Sequence, residues 1–598
     1  MEEIFDVVIV GAGITGAIIA AEAADADLSV LVLEAGTDQA RTFAGYREQL
    51  RTFYGAPFKT PEAPYAYNPN APEPDIPGLP TPGADYFVEK GIPFGSTYAR
   101  AAGGTTLHWL GTCLRMLPED FDTRSRFERG LDWPLGYDDL EPDYRRAELE
   151  IGVSADVADQ KHLGVEFPPG YDYPMERIPP SYLDEWLGTS LNGMTVELGG
   201  ESLELLVRNT PVGRNSTPRA GYKPVGAVDH GEGFAPPTVG QALARDLGER
   251  CQGNSACVPI CPVQAKYNAM KTLTRAADRG GVTIVTQAVA SRVLTSGRKV
   301  TGIEYLRYES PGSPQAEKHL ARGRAYVLAC HAVENVKLML VSGLQAKNGL
   351  VGAYLQDHPV LLRWGLAPKQ VGAYRGPLST AGIEDMRGGR FRARHAPFRV
   401  ELGNDGWLWP TGAPDSNVAE AVAEGQFGSA LRATMRDQLG RQLRMGFLIE
   451  QPPDVQNRIG LASRRDALGL PRPALTYNLD AYVLDGMTAA TGVAKKLFAR
   501  AGIEDHTDPV KGLGFKQQWG GQTFVWAGAG HFAGGHCMGA SAGDSIVDSE
   551  QRSWDHDNLF VAGPGSMPTM GTANPTLTVA ALAFRTARNL IAEPERAR

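Results

Sequence analysis

The sequence predicts an α/β fold, in which a βαβ unit on a parallel sheet is interleaved with a second region of mixed strands and helices. Three observations carry that prediction. Phe5–Val10 (FDVVIV) is an apolar run, interrupted by Asp6 alone and ending at glycine, the pattern of a parallel strand buried on both faces. Gly11-Ala-Gly13-Ile-Thr-Gly16 follows at once and opens a run of small apolar residues to Ala24, suited to a helix packed tightly on that strand. Residues 29–33 then form a second strand that ends at Glu34.

Each glycine of the turn has its own task. Gly11 permits the tight turn, Gly13 lets backbone approach a pyrophosphate, and Gly16 allows close helix packing, so that the helix N-terminus faces the phosphate charge. Glu34 can accept hydrogen bonds from ribose hydroxyls. A lone GxGxxG is weak, but this one sits between a strand and a helix with its acidic residue in place. The motif alone does not separate FAD from NAD.

With 598 residues the chain exceeds what one core usually serves, which predicts two interleaved domains of roughly 200–300 residues each. A formal net charge of −9 argues against nucleic acid as a partner, because phosphate binding needs a basic face. No apolar run approaches the roughly 20 residues that cross a bilayer. The stretch 5–10 is too short for a signal-peptide core and lacks a basic flank and a cleavage site, so no export signal is expected.

Along the chain, residues 55–100 are rich in Pro, Tyr and Gly and read as an ordered loop or lid; residues 151–215 look similarly irregular. Residues 282–308 read as strands around a turn at Ser296-Gly297, and Ala325–Ala329 as a strand leading into a helix near Val333–Val341. The region 350–525 holds short strands and a polar helix near 417–441. From Asn558 the chain returns to a strand and then to a long apolar helix, Leu577–Ile591.

Near the end stand Gly530-His531-Phe-Ala-Gly-Gly-His536-Cys-Met-Gly and, later, Pro568-Thr-Met-Gly-Thr-Ala-Asn574-Pro-Thr576. Leu355-Gln-Asp-His358-Pro359 lies upstream. These phrases resemble the glucose–methanol–choline (GMC) family of flavin oxidoreductases. The resemblance implies a Rossmann-like FAD-binding domain (1–45, 95–150, 215–350 and 530–598), a lid or insertion (46–94) and an α+β substrate domain (151–214 and 351–529). Oxidising an alcohol requires removing a hydroxyl proton as hydride leaves carbon for the flavin; a neutral imidazole suits the base role and a neighbouring amide can orient the same oxygen. By resemblance His531 is the base and Asn574 its partner, His536 is structural, and His358 is structural or close to the flavin. The same resemblance assigns Gly103, Gly104, Val289, Gly563 and Thr576 to FAD, beside Gly11, Gly13, Gly16 and Glu34.

Ala102-Gly103-Gly104-Thr-Thr-Leu-His108-Trp109 is the segment that lies along the flavin in the family. In some sugar-oxidising relatives a histidine in a similar phrase carries the flavin covalently. Covalent attachment at His108 and a histidine merely packed beside a non-covalent flavin both remain open.

Of six cysteines, three form Cys251-x5-Cys257-x3-Cys261-Pro262. Thiolates ligate iron–sulfur clusters, and a proline after the last cysteine is common in such runs. Zinc, which favours paired CxxC spacing, and buried free thiols are the other readings. The phrase, with 98–109, 132–153, 457–483 and 531–585, resembles the branch of catalytic subunits of bacterial FAD-dependent dehydrogenases of glucose, fructose, gluconate and sorbitol. That resemblance implies a [3Fe–4S] cluster on Cys251, Cys257 and Cys261, electrons passing to a cytochrome-type acceptor, a small accessory subunit, and a periplasmic or membrane-associated place through that partner (cytoplasmic without one). The implied substrate is a sugar, glycoside or polyol, with Trp407, Trp409 and Trp519 as candidate stacking residues; neither the sugar nor the oxidised carbon follows. An oxygen-using pyranose-type oxidase is the alternative. A non-catalytic flavin scaffold would have no need of the His531–Asn574 pair.

Overall fold

The computed structural model describes residues 3–38, 41–55, 86–219, 248–309, 315–407, 414–507 and 514–592, apart from positions 97, 256 and 259. The dinucleotide unit begins with β1 (Ile4–Val10), α1 (Ile14–Asp25) and β2 (Val30–Leu33), and continues with β3 (Val282–Val285), β4 (Ala316–Leu328) and α2 (Ala332–Val341). It closes with β5 (Leu559–Val561) and α3 (Thr576–Ala592). The parallel sheet runs β3-β2-β1-β4-β5. Val7, Val8 and Ile9 on β1 and Val327 and Leu328 on β4 have no solvent exposure, and each such aliphatic side chain contributes roughly 1.5–3 kcal/mol on burial. α1 and α3 pack against each other.

β4 is longer than the apolar run 325–329 suggests. Its first half, Ala316–Ala321, pairs antiparallel with 303–308, and its second half runs parallel to β1. The charged stretch EKHLARGR masks the first half because that arm leaves the core and stays partly exposed.

The second sheet is antiparallel, with described strands 515–519, 522–528, 359–366, 442–449, 398–403, 381–383 and 207–209 in spatial order, and 504–505 on the edge of 359–366. Strand 442–449 is buried throughout although it contains Arg444. That cation is held by Glu401 and Asp405, at 3.3 and 3.1 Å, as a buried charge must be.

Two expectations, an irregular stretch and a single helix, are corrected. Residues 151–214 contain a helix, Tyr182–Leu191, capped by Ser181, and a hairpin of Met194–Leu198 with Glu201–Leu205. Gly199 and Gly200, both at positive φ, turn that hairpin, and glycines between alternating strands are its sequence signal. The helix expected at 417–441 is two helices, Pro414–Ala423 and Gly428–Gln438, broken where Gly425 and Gly428 take positive φ. The lid region begins as a helix, Phe43–Gly55, and ends as a strand, Val88–Gly91, paired parallel with 474–477; 56–85 lie outside the described residues. Among the described residues no helix is long and apolar enough to cross a membrane.

Candidate active site

A cleft of about 1350 Å³ opens at the carboxyl ends of the parallel strands, where open α/β sheets bind their ligands. Gly11 and Gly13 after β1, Glu34 after β2, Ala329 to His331 after β4, and Pro564 after β5 line it, with Gly104, Val289 and Thr576. The glycines divide their work. A Cβ on Gly11 would stand 2.5 Å from the Ala329 carbonyl, and one on Gly16 would stand 2.0 Å from the Gly11 carbonyl. Gly13 has nothing within 4 Å of that position, so its backbone is bare toward the cleft. α1 has no side-chain cap, which leaves its first N–H groups free for an anion.

Glu34 does more than the sequence reading assigned. Its two carboxylate oxygens accept from the backbone N–H of Ala12 at 2.9 Å and of Gly36 at 2.8 Å, bracing the glycine turn while lining the cleft. Burial raises its pKa against those bonds. Gly16, Gly103, His108 and Gly563 are not part of the cleft wall. Gly16 packs beneath the turn, Gly103 lies against Leu107 and Met270, and Gly563 lies near Thr15. His108 sits between wall residues Thr106 and Trp109, and burial, then the charge of Lys266, hold its pKa at about 4. The cleft also holds residues not singled out from sequence: Arg100, whose guanidinium pairs with Glu334 at 2.7 Å, and His331, which stacks on Tyr98 at 4.0 Å between centroids.

At one end of the cleft, His531 lies between wall residues Gly530 and Phe532. A chain of bonds runs through it. His358 Nε2 lies 2.8 Å from the Gly571 carbonyl, His358 Nδ1 lies 2.9 Å from His531 Nδ1, and His531 Nε2 lies 3.1 Å from Asn574 Nδ2. Beyond it, Arg399 Nη1 donates to Asn574 Oδ1 at 3.1 Å. The carbonyl at one end fixes every proton. It can only accept, so neutral His358 carries its proton on Nε2 and accepts at Nδ1. His531 therefore donates from Nδ1, and its Nε2 bears the lone pair. Arg399 likewise can only donate, which turns the Asn574 NH2 toward that lone pair.

The histidines are neutral. Burial pushes His358 down to about 4, and burial, His358 and Arg399 push His531 well below the ordinary histidine range. Arg399 is anchored by Glu384 at 2.9 Å. Asp357 accepts from the backbone N–H of His531 at 2.9 Å and of His358 at 2.7 Å, with the Ser96 hydroxyl on its other oxygen. Gly571 must be glycine: its φ is +54° and a Cβ would meet the Asp120 carboxyl at 2.3 Å. His536 stands apart from this chain, buried against Asn335 at 3.2 Å.

The cysteine segment packs against the flavin-side segment through Ile260, Leu107 and Tyr46, and Tyr46 donates to the Cys261 carbonyl at 2.5 Å. Cys257 and Cys261 are buried and Cys251 is half-exposed. Among the described residues no three His, Cys, Asp or Glu side chains gather closely enough to hold a metal ion, so the expected ligand set is not drawn onto a single point. The three thiols still share one electrostatic neighbourhood: burial raises Cys257, with Arg214 and Lys266 opposing and Cys261 and Cys251 adding to the rise. Trp407 donates to the Gly365 carbonyl and stacks on His506, and Trp519 donates to Asp485 from an exposed strand. Trp409 lies outside the described residues.

A glycine-turn cleft suited to a dinucleotide, ending at a neutral histidine whose Nε2 faces an amide, is an arrangement that fits an oxidoreductase of alcohol groups. The comparisons agree. GMC oxidoreductase models match residues 237–360 and 453–583, and a FAD dependent oxidoreductase model matches 6–73. The chain belongs to the GMC oxidoreductase family and is FAD-dependent. It is 28% identical to a fructose dehydrogenase large subunit of Gluconobacter japonicus, over 97% of each chain. It is 25% identical to a 6'''-hydroxyparomomycin C oxidase of Streptomyces lividus, over 98% of this chain and 91% of that one. The fold is that of a solved formate oxidase of Aspergillus oryzae, with a TM-score of 0.61, 14% identity and 99% of each chain covered.

Proposed function

We propose that the protein is a dehydrogenase of a sugar, glycoside or polyol hydroxyl, with His531 as general base and Asn574 as the group that orients the reacting oxygen. The observation that carries this reading is the lone pair on His531 Nε2, 3.1 Å from the Asn574 amide. Bound FAD supplies a two-electron hydride acceptor. His531 Nε2 takes the hydroxyl proton as the hydride leaves carbon. Its Nδ1–H stays bonded to His358, so the ring neither flips nor changes tautomer before the reaction. Asn574 donates to the oxygen as negative charge grows there, and Arg399 with Glu384 holds the amide in that sense.

Gly11, Gly13, Glu34, Gly104, Val289 and Thr576 would form the cofactor wall, with Gly16, Gly103 and Gly563 shaping the backbone behind it. His108, whose pKa of about 4 keeps the ring neutral with one nitrogen bearing a lone pair, is the candidate for a covalent flavin bond. Yellow colour staying with acid-precipitated protein, and leaving it in His108→Ala, tests that bond.

Cys251, Cys257 and Cys261 would hold a [3Fe–4S] cluster, which supplies one-electron transfer. The donor set suits it, because a cluster spreads its thiolates over several irons where a single ion would draw them together, and buried cations face them. A cytochrome-type protein would be the acceptor for electrons leaving such a cluster. A small accessory subunit is supported by the name of the related large subunit, and through such a partner the protein would take a periplasmic or membrane-associated place.

Anaerobic dye reduction across aldoses, glycosides and polyols, with iron and acid-labile sulfide assayed on the same protein, tests the whole reading. No turnover with any of them would overturn the substrate class, and absence of iron would overturn the cluster. The related oxidase favours a second reading, oxygen as acceptor; rapid reoxidation of the reduced enzyme by oxygen in stopped flow would select it.

A further inference from the structure

His331 stands in the wall of the glycine-turn cleft with a backbone that histidine rarely adopts. Its φ is +83° and its ψ 152°. That ψ lies outside the left-handed helical region where polar residues sometimes sit, in a part of φ/ψ space nearly reserved for glycine. The chain on both sides leaves it no other course. Before it, the Ala329 carbonyl and Cys330 press on Gly11, whose added Cβ would stand 2.5 and 2.7 Å from them. The Cys330 N–H donates to Asn335 Oδ1 at 3.0 Å. After it, α2 begins at once, with the His331 carbonyl accepting from the Asn335 N–H at 2.8 Å. A glycine here would remove the strain, and the chain carries an imidazole instead.

The ring is held as firmly as the backbone. It stacks on Tyr98 at 4.0 Å and 22°, and meets Phe532 edge to face at 4.4 Å and 77°; both partners also line the cleft. Nδ1 accepts from the Val333 N–H at 3.4 Å, so the neutral ring carries its proton on Nε2. Burial keeps the ring neutral, pushing its pKa down to about 3 against the pull of Glu334. Nε2 makes no hydrogen bond among the described residues, and it is not a buried atom either. A donor fixed in direction is thus open to the cleft. Its place is also defined. The segment before it touches the glycine turn at Gly11, and Phe532 beside it is the chain neighbour of His531.

Resting on the reading that Gly11, Gly13 and Glu34 hold FAD in this cleft, we propose that His331 is a further cofactor-binding residue. Its Nε2–H donates to an acceptor oxygen of the ribityl–phosphate portion of FAD, the stretch between the pyrophosphate at the glycine turn and the redox-active ring at His531. The strained backbone aims the imidazole into the cleft, since ordinary extended or helical angles would turn its Cβ elsewhere.

The test uses purified holoprotein in a His108→Ala background, so that the cofactor leaves reversibly whichever way His108 holds it. FAD release is followed by the flavin fluorescence that appears on dilution, and Tm is taken on the same samples. His331→Phe keeps the Cβ, the ring and the stack on Tyr98 but has no nitrogen. It is expected to release FAD about tenfold faster at a similar Tm, the effect of losing one neutral hydrogen bond. His331→Gln restores a donor and should recover most of the loss. If the Phe variant does not fold, His331→Met against His331→Gln repeats the comparison at matched length. Release at the reference rate from the Phe or Met variant overturns the inference. A Gln variant as leaky as the donor-free one overturns it too, because packing of the ring would then be the whole contribution. A Gly13→Ala protein that holds FAD as tightly as the reference would instead take the cofactor out of this cleft, and the inference with it.

Discussion

His358 and His531 meet nitrogen to nitrogen, Nδ1 to Nδ1 at 2.9 Å, with their rings nearly perpendicular at 87°. Only one of the two can supply the proton, and the Gly571 carbonyl behind His358 decides which. His358 thereby fixes the reactive tautomer of its neighbour without lying in the reaction itself.

Replacing His358 should therefore slow chemistry without emptying the cleft. His358→Leu is expected to lower kcat roughly ten- to a hundredfold, less than the roughly 10²–10⁴ of a lost general base, with FAD content unchanged. His358→Gln, whose amide oxygen can accept from Nδ1–H, should recover part of the loss. Equal rates in the Leu variant and the wild type would remove the tautomer argument.

His531→Ala and Asn574→Ala address the pair directly. Each should slow anaerobic flavin bleaching by substrate, His531→Ala by roughly 10²–10⁴ and Asn574→Ala by less, while the flavin spectrum persists. Bleaching at the wild-type rate in His531→Ala would end the assignment of the base.

The pH profile has a definite sign. Burial and the neighbouring charge depress His531 in the free enzyme, so it remains an available base as pH falls through the ordinary histidine value of about 6.5. The acid limb of kcat/KM attributable to this base should lie well below that value. A limb at or above 6.5 that moves with His531 substitution contradicts the burial argument.

Stability should move with pH for the same reason. His358 and His536 are fully buried, with pKa values held at about 4 and about 3. Below about 6.5 the unfolded chain takes up protons that the folded chain refuses, so each histidine costs up to about 1.4 kcal/mol per pH unit until its folded pKa is reached. Asp357 acts in the opposite sense, since burial lifts it to about 6 and the folded state gains its proton first. Of these three groups, His358 and His536 lose stability and Asp357 gains it as pH falls, so their own net contribution to Tm between pH 6.5 and 4 is a decrease. A His536→Asn variant with an unchanged slope would count against that share.

The glycine turn separates folding from binding. Gly16→Ala places a methyl 2.0 Å from the Gly11 carbonyl and should destabilise the protein by about 1–3 kcal/mol. Gly13→Ala meets nothing within 4 Å, so the fold should persist while FAD affinity drops. Thermal melts and flavin content on the two variants distinguish these effects.

Local features were readable from the chain because their signals are local. β1, the glycine turn, Glu34 and the terminal helix follow from apolar runs and glycine spacing, and His531 and Asn574 from family phrases. The Arg399–Asn574 contact spans 175 positions and the His358–His531 contact 173; no spacing rule connects them, since they meet only where a strand of the antiparallel sheet reaches the cleft. The first half of β4 is hidden by its charges, and the hairpin at Gly199-Gly200 carries no signal beyond its two glycines.

The double grip of Glu34 on Ala12 and Gly36 means that the nucleotide turn takes its shape from the polypeptide's own carboxylate. Little disorder then remains to be lost when the cofactor arrives.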